Sequence, residues 1–171
     1  MQALNTSPNL TQSTSSYDSV VSQALMGLYK EDRIFACAFE RHNINDYSVS
    51  FVFPRFTKTV IEMDHISANQ INEAILEAVY CAFYAGISEG AFEPHINHDW
   101  YYRVMYDWII FSQTVTYRKM LVEGKASVMR VFGLKLGSRK LNKRFISLTG
   151  ELDGYVSGEF EWLLPVKLAP H

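Results

Sequence analysis

The sequence predicts an α+β fold in which a curved antiparallel sheet wraps around one long central helix. Three observations carry this. The run AILEAVYCAFYAG, residues 74–86, is apolar on nearly every side, as a helix enclosed by other structure must be. Before and after it, apolar residues recur at every second position, the period of half-buried strands. Aromatic residues make up 14% of a chain that is 48% hydrophobic and 20% charged, a surplus that favours strands and lined cavities.

The 171 residues suit one domain, expected over 18–168, behind a polar disordered tail over 1–17. Asp18 or Ser19 caps a first helix reaching Leu28, with Val20, Val21, Ala24, Leu25 and Leu28 on one face. A strand follows over Ile34–Glu40, and HNIND supplies a turn. Tyr47, Val49, Phe51 and Phe53 alternate along a second strand that Pro54 ends. The third strand, FTKTVIE, leads into the central helix, which runs to about Ala85 with Gly86 and Gly90 as stop signals.

The segment AFEPHINHDWYYRVMYD has no clear period and reads as loop with a short helix. Beyond it period two returns. Ala126, Val128, Phe132, Leu134 and Leu136 share one face. Ile146, Leu148, Leu152 and Val156 share another, and Phe160, Trp162 and Leu164 alternate with Glu159 and Glu161. Asp153-Gly154 and Ser157-Gly158 mark turns or bulges.

Sixteen basic and 18 acidic residues give a net charge of −2, which excludes a generally basic nucleic-acid binder. The basic residues are unevenly spread. Arg118, Lys119, Lys125, Arg130, Lys135, Arg139, Lys140, Lys143 and Arg144 face only Glu123 in the same stretch. That is either the solvent side of strands or a contact for an anionic partner, most densely at Arg139, Lys140, Lys143 and Arg144.

Cys37 and Cys81 have no CxxC or metal-like spacing and read as small buried residues of a reducing compartment. The opening residues lack a basic n-region and an apolar core, and no uncharged apolar run reaches ~18 residues. A soluble, cytoplasmic protein without a membrane span is expected. His95, His98 and Asp99 approach ligand spacing in an unpatterned loop with no third ligand group, so neither a metal nor another cofactor is expected.

The central helix opens on polar residues. Ser67 suits its N-cap, with Gln70 three residues on to complete a capping box. Ile71, Ala74, Ile75, Ala78, Val79, Ala82 and Phe83 form a broad buried stripe, and Gln70, Glu73 and Glu77 a polar one beside it. An enclosed carboxylate without a partner costs several kcal/mol or takes up a proton. Glu73 and Glu77 therefore lie on a wet edge or dimer seam, or one faces a cavity as acid or base. Backbone amides at the helix start can polarise a thioester carbonyl, and His65 can orient a substrate or water nearby.

A strand entering a polar turn and then a long apolar helix resembles the hot-dog fold. Within it, DHISANQINEAILEAVYCAFYAG resembles the FcoT-like fatty acyl-CoA thioesterase family and relatives acting on carrier-bound enoyl chains. His65 and Ile66 begin the family's helix motif, and Tyr80, Cys81, Ala82 and Phe83 close it. Tyr29 stands where the family has an active-site tyrosine. INHDWYYRVMYDWIIFSQTVTYRKML and SGEFEWLL resemble its later segments, so the likeness spans about Val20 to Leu164. Ser67, Gln70 and Leu76 depart from the family's Asn, Glu and Asn, and a glutamine does not exchange protons usefully.

The resemblance implies an acyl-thioester enzyme, first of all a thioesterase for fatty acyl-CoA or acyl-carrier-protein thioesters. Its candidate catalytic residues are Glu73, Gln70, His65 and Ser67. Tyr29, Tyr80, Asn69 and Glu77 would contact substrate, and Arg139, Lys140, Lys143 and Arg144 would meet CoA phosphates or a carrier's acidic face. The alternatives are a dehydratase or conjugate-addition enzyme at the β-carbon, with His65 as proton shuttle, and a non-catalytic carrier-binding module of lipid or lipopeptide biosynthesis. A homodimer or larger homo-oligomer is implied by the fold resemblance, with CoA or phosphopantetheine present only as part of the substrate.

Overall fold

The computed structural model describes residues 19–25, 27–30, 33–53, 66–118, 124–137 and 145–166. The expected tail, the expected strand over 56–62, His65, and the cations Arg139, Lys140, Lys143 and Arg144 lie outside the described residues.

Helix α1 (Ser19–Leu25) precedes strands β1 (Ala36–Asn43) and β2 (Asp46–Val52). Helices α2 (Ala68–Ser88) and α3 (His98–Val104) follow, then β3 (Ile109–Tyr117), β4 (Ala126–Gly137), β5 (Phe145–Gly154) and β6 (Val156–Pro165). All ladders are antiparallel, in the spatial order β1-β2-β4-β5-β6-β3. Helix α2 packs on the β1, β2 and β4 side of this sheet and is flanked by α1 and α3. This is the expected α+β hot-dog fold.

Burial explains the helix. Every residue of the predicted stripe, Ile71 through Phe83, is buried, and Ala74, Ala78 and Ala82 let the strands approach closely. From the sheet, Tyr47, Val49, Phe51 and Phe53 are all fully buried, as their alternation required. Each such large side chain contributes about 1.5–3 kcal/mol by leaving water.

Several boundaries differ from the sequence reading. The α2 helix continues through Gly86 instead of stopping there. A Cβ at Gly86 would lie 2.7 Å from the ring of Phe92, so this glycine admits an aromatic ring and does not end the helix. Gly90, the other expected stop, adopts φ +67 just past the C-cap Glu89. Helix α1 ends at Leu25, not Leu28, with Gly27 at φ +95. Carbonyls at and just past its end meet tyrosines: Tyr101 donates to Ala24 at 2.7 Å, Tyr102 to Gln23 at 2.8 Å, and Tyr106 to Gly27 at 2.6 Å. Those tyrosines belong to α3 and the 3-10 turn Met105–Asp107, the order hidden in the unpatterned segment.

Strand β4 corrects the expected face. Ala126 and Val128 are exposed, while Met129 and Val131 are fully buried. The register slips between Phe132 and Lys135, where Gly133 sits at φ +65. One extra residue in a strand reverses which side faces inward. Only Leu134 and Leu136, beyond the bulge, keep the predicted side. ISLTGELDGYV likewise divides into two strands at Gly154, φ +123, so Leu148 and Leu152 lie on β5 and Val156 begins β6. On β6, Phe160, Trp162 and Leu164 point into the core as expected.

Candidate active site

Ser67 caps α2 in an extended conformation, φ −71 and ψ 154. Its hydroxyl oxygen accepts the Gln70 amide at 3.3 Å, and Gln70 Oε1 accepts the Ser67 amide at 2.9 Å. The Ser67 hydroxyl also donates to that Oε1 at 2.9 Å. The predicted capping box is therefore present, and it occupies the oxygens of both side chains. Gln70 Nε2 is buried and has no hydrogen-bond partner among the described residues.

The box leaves two first-turn amides over. Helix geometry gives Ala68 and Asn69 no intrahelical acceptor, and no partner for them occurs among the described residues. Asn69 and Glu73 are exposed and one turn apart on the same face. Side chains lean toward a helix's N-terminus, so Glu73 projects over the turn that carries the open amides. A carboxylate-bearing residue thus stands one turn from two N–H donors at the positive end of a helix.

Glu77, one turn deeper, is fully buried. Its carboxylate accepts the Phe35 amide at 3.0 and 3.2 Å and the Ala36 amide at 2.7 Å. Burial pushes its pKa up to about 7, Glu73 adds to the rise, and the two amides oppose it. Two phenols share this environment. Tyr29 is raised above the usual tyrosine range by burial first, then by Tyr80, Glu77 and Glu73. Tyr155 is raised by burial and by Glu77, and its hydroxyl is buried without a partner among the described residues. Tyr80 donates to the Met105 carbonyl at 3.1 Å, with its ring 4.6 Å from Trp108, and burial raises it to about 12.

The fold thus gathers Ser67, Asn69, Gln70 and Glu73 at the mouth of α2 and Glu77, Tyr29 and Tyr80 behind them. Tyr155 was not legible, because in sequence it is one more residue beside the Asp153-Gly154 turn. Of the basic stretch, Arg118 pairs with Asp153 at 2.8 Å and Arg130 pairs with Asp46, which suits a solvated face. Cys81 is buried and Cys37 half-buried, and neither is in a disulfide. No group of three metal-ligating side chains occurs among the described residues; His98 stacks on Tyr84 at 4.1 Å instead. No helix among them is long and apolar enough to cross a membrane.

No protein-family model and no curated protein matches this chain. Among solved structures, an HP0420 homologue from Helicobacter felis is similar with a TM-score of 0.50 and 12% identity, covering 88% of this chain and 92% of that one. Cj0977, a sigma28-regulated virulence protein from Campylobacter jejuni, has a TM-score of 0.50 at 6% identity, covering 86% and 89%. A looser likeness, TM-score 0.44 at 4% identity over 74% and 84%, is to a hypothetical thioesterase protein with coenzyme A from Streptococcus pneumoniae. At such identities the first two speak to the fold alone.

Proposed function

We propose that this chain processes acyl thioesters, hydrolysing a fatty acyl group from CoA or acyl carrier protein in the manner of the FcoT-like family it resembles. The observation that carries the reading is the first turn of α2, where the amides of Ala68 and Asn69 have no acceptor among the described residues and Glu73 follows one turn on. The thioester oxygen accepts from those amides, which stabilise the charge that develops on it. Glu73 takes a proton from water as the water oxygen bonds to the carbonyl carbon. Collapse of the tetrahedral adduct breaks the carbon–sulfur bond, and the proton held by Glu73 passes to the departing thiolate. The products are a fatty acid and a free thiol.

The remaining roles follow the family resemblance. Gln70 and Ser67 hold the cap that aims the amides, and His65 orients the incoming thioester. Asn69 and Tyr29 contact substrate, with Tyr80 and Glu77 forming the wall behind them. Arg139, Lys140, Lys143 and Arg144 meet the phosphates of CoA or the acidic face of a carrier. A second copy of the chain joins along β3, an edge strand whose Ile109 and Ile110 are 47% and 49% exposed. Cytoplasmic substrates suit two cysteines that form no disulfide.

The test is Glu73→Gln, assayed for thiol release from a panel of acyl-CoA and acyl-carrier thioesters. Turnover is expected to fall roughly 10²–10⁴-fold with the melting temperature unchanged. Normal turnover excludes this base. An altered β-carbon on an intact crotonyl or 3-hydroxyacyl thioester indicates the lyase. Carrier binding without turnover indicates a non-catalytic module, which the capping use of Gln70 favours.

A further inference from the structure

We propose a second ligand site at the opposite end of α2, built for a neutral molecule with an apolar body and one hydroxyl or N–H donor. A cavity of about 550 Å³ opens there between the β1–β2 turn, the loop after α2, and strands β4 and β5. Its size falls in the range of small-molecule pockets, and its walls are Phe92, Ile96, Leu134, Leu136 and Ile146.

Three local exceptions to regular structure converge on this cavity. Gly86, inside a helix, leaves room for the Phe92 ring, which also packs 4.8 Å from Phe83 and is thereby fixed as one wall. The β4 bulge at Gly133 turns Leu134 inward, where it lines the space. Asn45 is the non-glycine residue with a left-handed backbone among the described residues, at φ +56, and its carbonyl accepts the Gly133 amide at 3.0 Å. Bulges and left-handed residues are tolerated where they shape a site, and here each one shapes the same space.

The ligand's chemistry follows from the polar groups. Asn45 lines the cavity, and its Oδ1 is buried without a donor. An orphaned acceptor calls for an O–H or N–H. Asn45 itself is half-buried at the hairpin tip. At the rim His95 Nδ1 lies 3.4 Å from a Glu93 carboxylate oxygen. Lys135, between Leu134 and Leu136, also lines the cavity and is shared with a second hollow that holds Glu151 and Glu159. Glu93 and Lys135 give the lining one formal charge of each sign, and a neutral ligand fits it.

The probes are octan-1-ol, its acceptor-only isostere 1-methoxyheptane, and octanoate, each titrated into the full chain with amide chemical shifts as readout. Octanol is expected to shift Ala91–Ile96 and Leu134–Gly137 saturably, roughly fivefold more tightly than the ether. Asn45→Gly keeps the left-handed backbone and is expected to erase that preference; Ile146→Trp fills the space and abolishes both titrations. The proposal is overturned by an absent saturable shift, by an alcohol preference that survives Asn45→Gly, or by tighter binding of octanoate. Shifts confined to Ser67–Glu73 also overturn it, since they locate the alcohol at the thioester mouth. Neither result depends on turnover, so this site and the proposed activity fail separately.

Discussion

The carboxylate of Glu77 accepts the amide of Ala36 at 2.7 Å, tying the middle of α2 to the first residue of β1. Phe35 adds a second amide to the same carboxylate. The acid thereby satisfies donors at the start of the β1–β2 ladder, and it holds helix to sheet without a cation.

This link makes stability depend on pH. The folded pKa of Glu77, about 7, lies above its ordinary value of 4.5. Between these values the folded chain holds a proton that the unfolded chain has lost. The contribution favouring the fold is complete below pH 4.5 and is lost as pH rises through 7, by about 3 kcal/mol. Urea unfolding at pH 5 and pH 8 measures it, and Glu77→Gln is expected to flatten that part of the profile. An unchanged profile in the variant would assign the dependence elsewhere.

Gly86→Ala tests the helix interior. Alanine gains about 1 kcal/mol in helix propensity over glycine. Its Cβ, however, meets the Phe92 ring at 2.7 Å. Overpacking of this kind costs about 1–3 kcal/mol, so a lower urea midpoint is expected despite the better helix former. A higher midpoint would mean that Phe92 moves aside freely.

Gly158→Ala tests the edge of the sheet. A side chain there runs into the Thr114 carbonyl of β3, and backbone cannot retreat as a flexible side chain can. A loss of roughly 2–4 kcal/mol is expected, with amide exchange accelerated along β3 more than along β4. Equal acceleration in both strands would contradict this.

The three tyrosines on α1 should not be equal. Tyr101 is fully buried, so Tyr101→Phe strands the Ala24 carbonyl and costs about 1–3 kcal/mol. Tyr102 and Tyr106 are 40% and 65% exposed, and water replaces their phenols in Tyr102→Phe and Tyr106→Phe. Those variants are expected to lie within about 0.5 kcal/mol of the parent. Denaturation midpoints of the three variants rank them directly.

Ser67→Ala tests the mouth of α2. Losing the capping box costs about 1 kcal/mol of stability. In the proposed reading it also loosens the turn bearing Ala68 and Asn69, so kcat falls further than stability alone explains. Equal kcat at a temperature where both proteins are folded would separate the cap from the chemistry.

Much of this was written into short stretches. Ser67 and Gln70 announce a capping box because both partners lie within one turn. Tyr47, Val49, Phe51 and Phe53 announce a buried face because nothing interrupts their alternation. The β4 face was not legible, since Gly133 looks like any other glycine until the register slip reverses Val128 and Met129. The two acids of the polar stripe had the same local pattern and received opposite environments.

What the sequence by itself determined is the local order: a capped apolar helix, alternating strands on both sides, and a polar turn carrying Glu73. These depend on residues a few positions apart, whose preferences the chain expresses anywhere. Only the tertiary structure decided that Glu77 would be buried against the amides of Phe35 and Ala36, some forty residues away. It also decided that Asn45, the Phe92 ring admitted by Gly86, and Leu134 beyond the Gly133 bulge would line one cavity. Burial and partner are set by what packs against a residue, and a linear pattern does not carry that information.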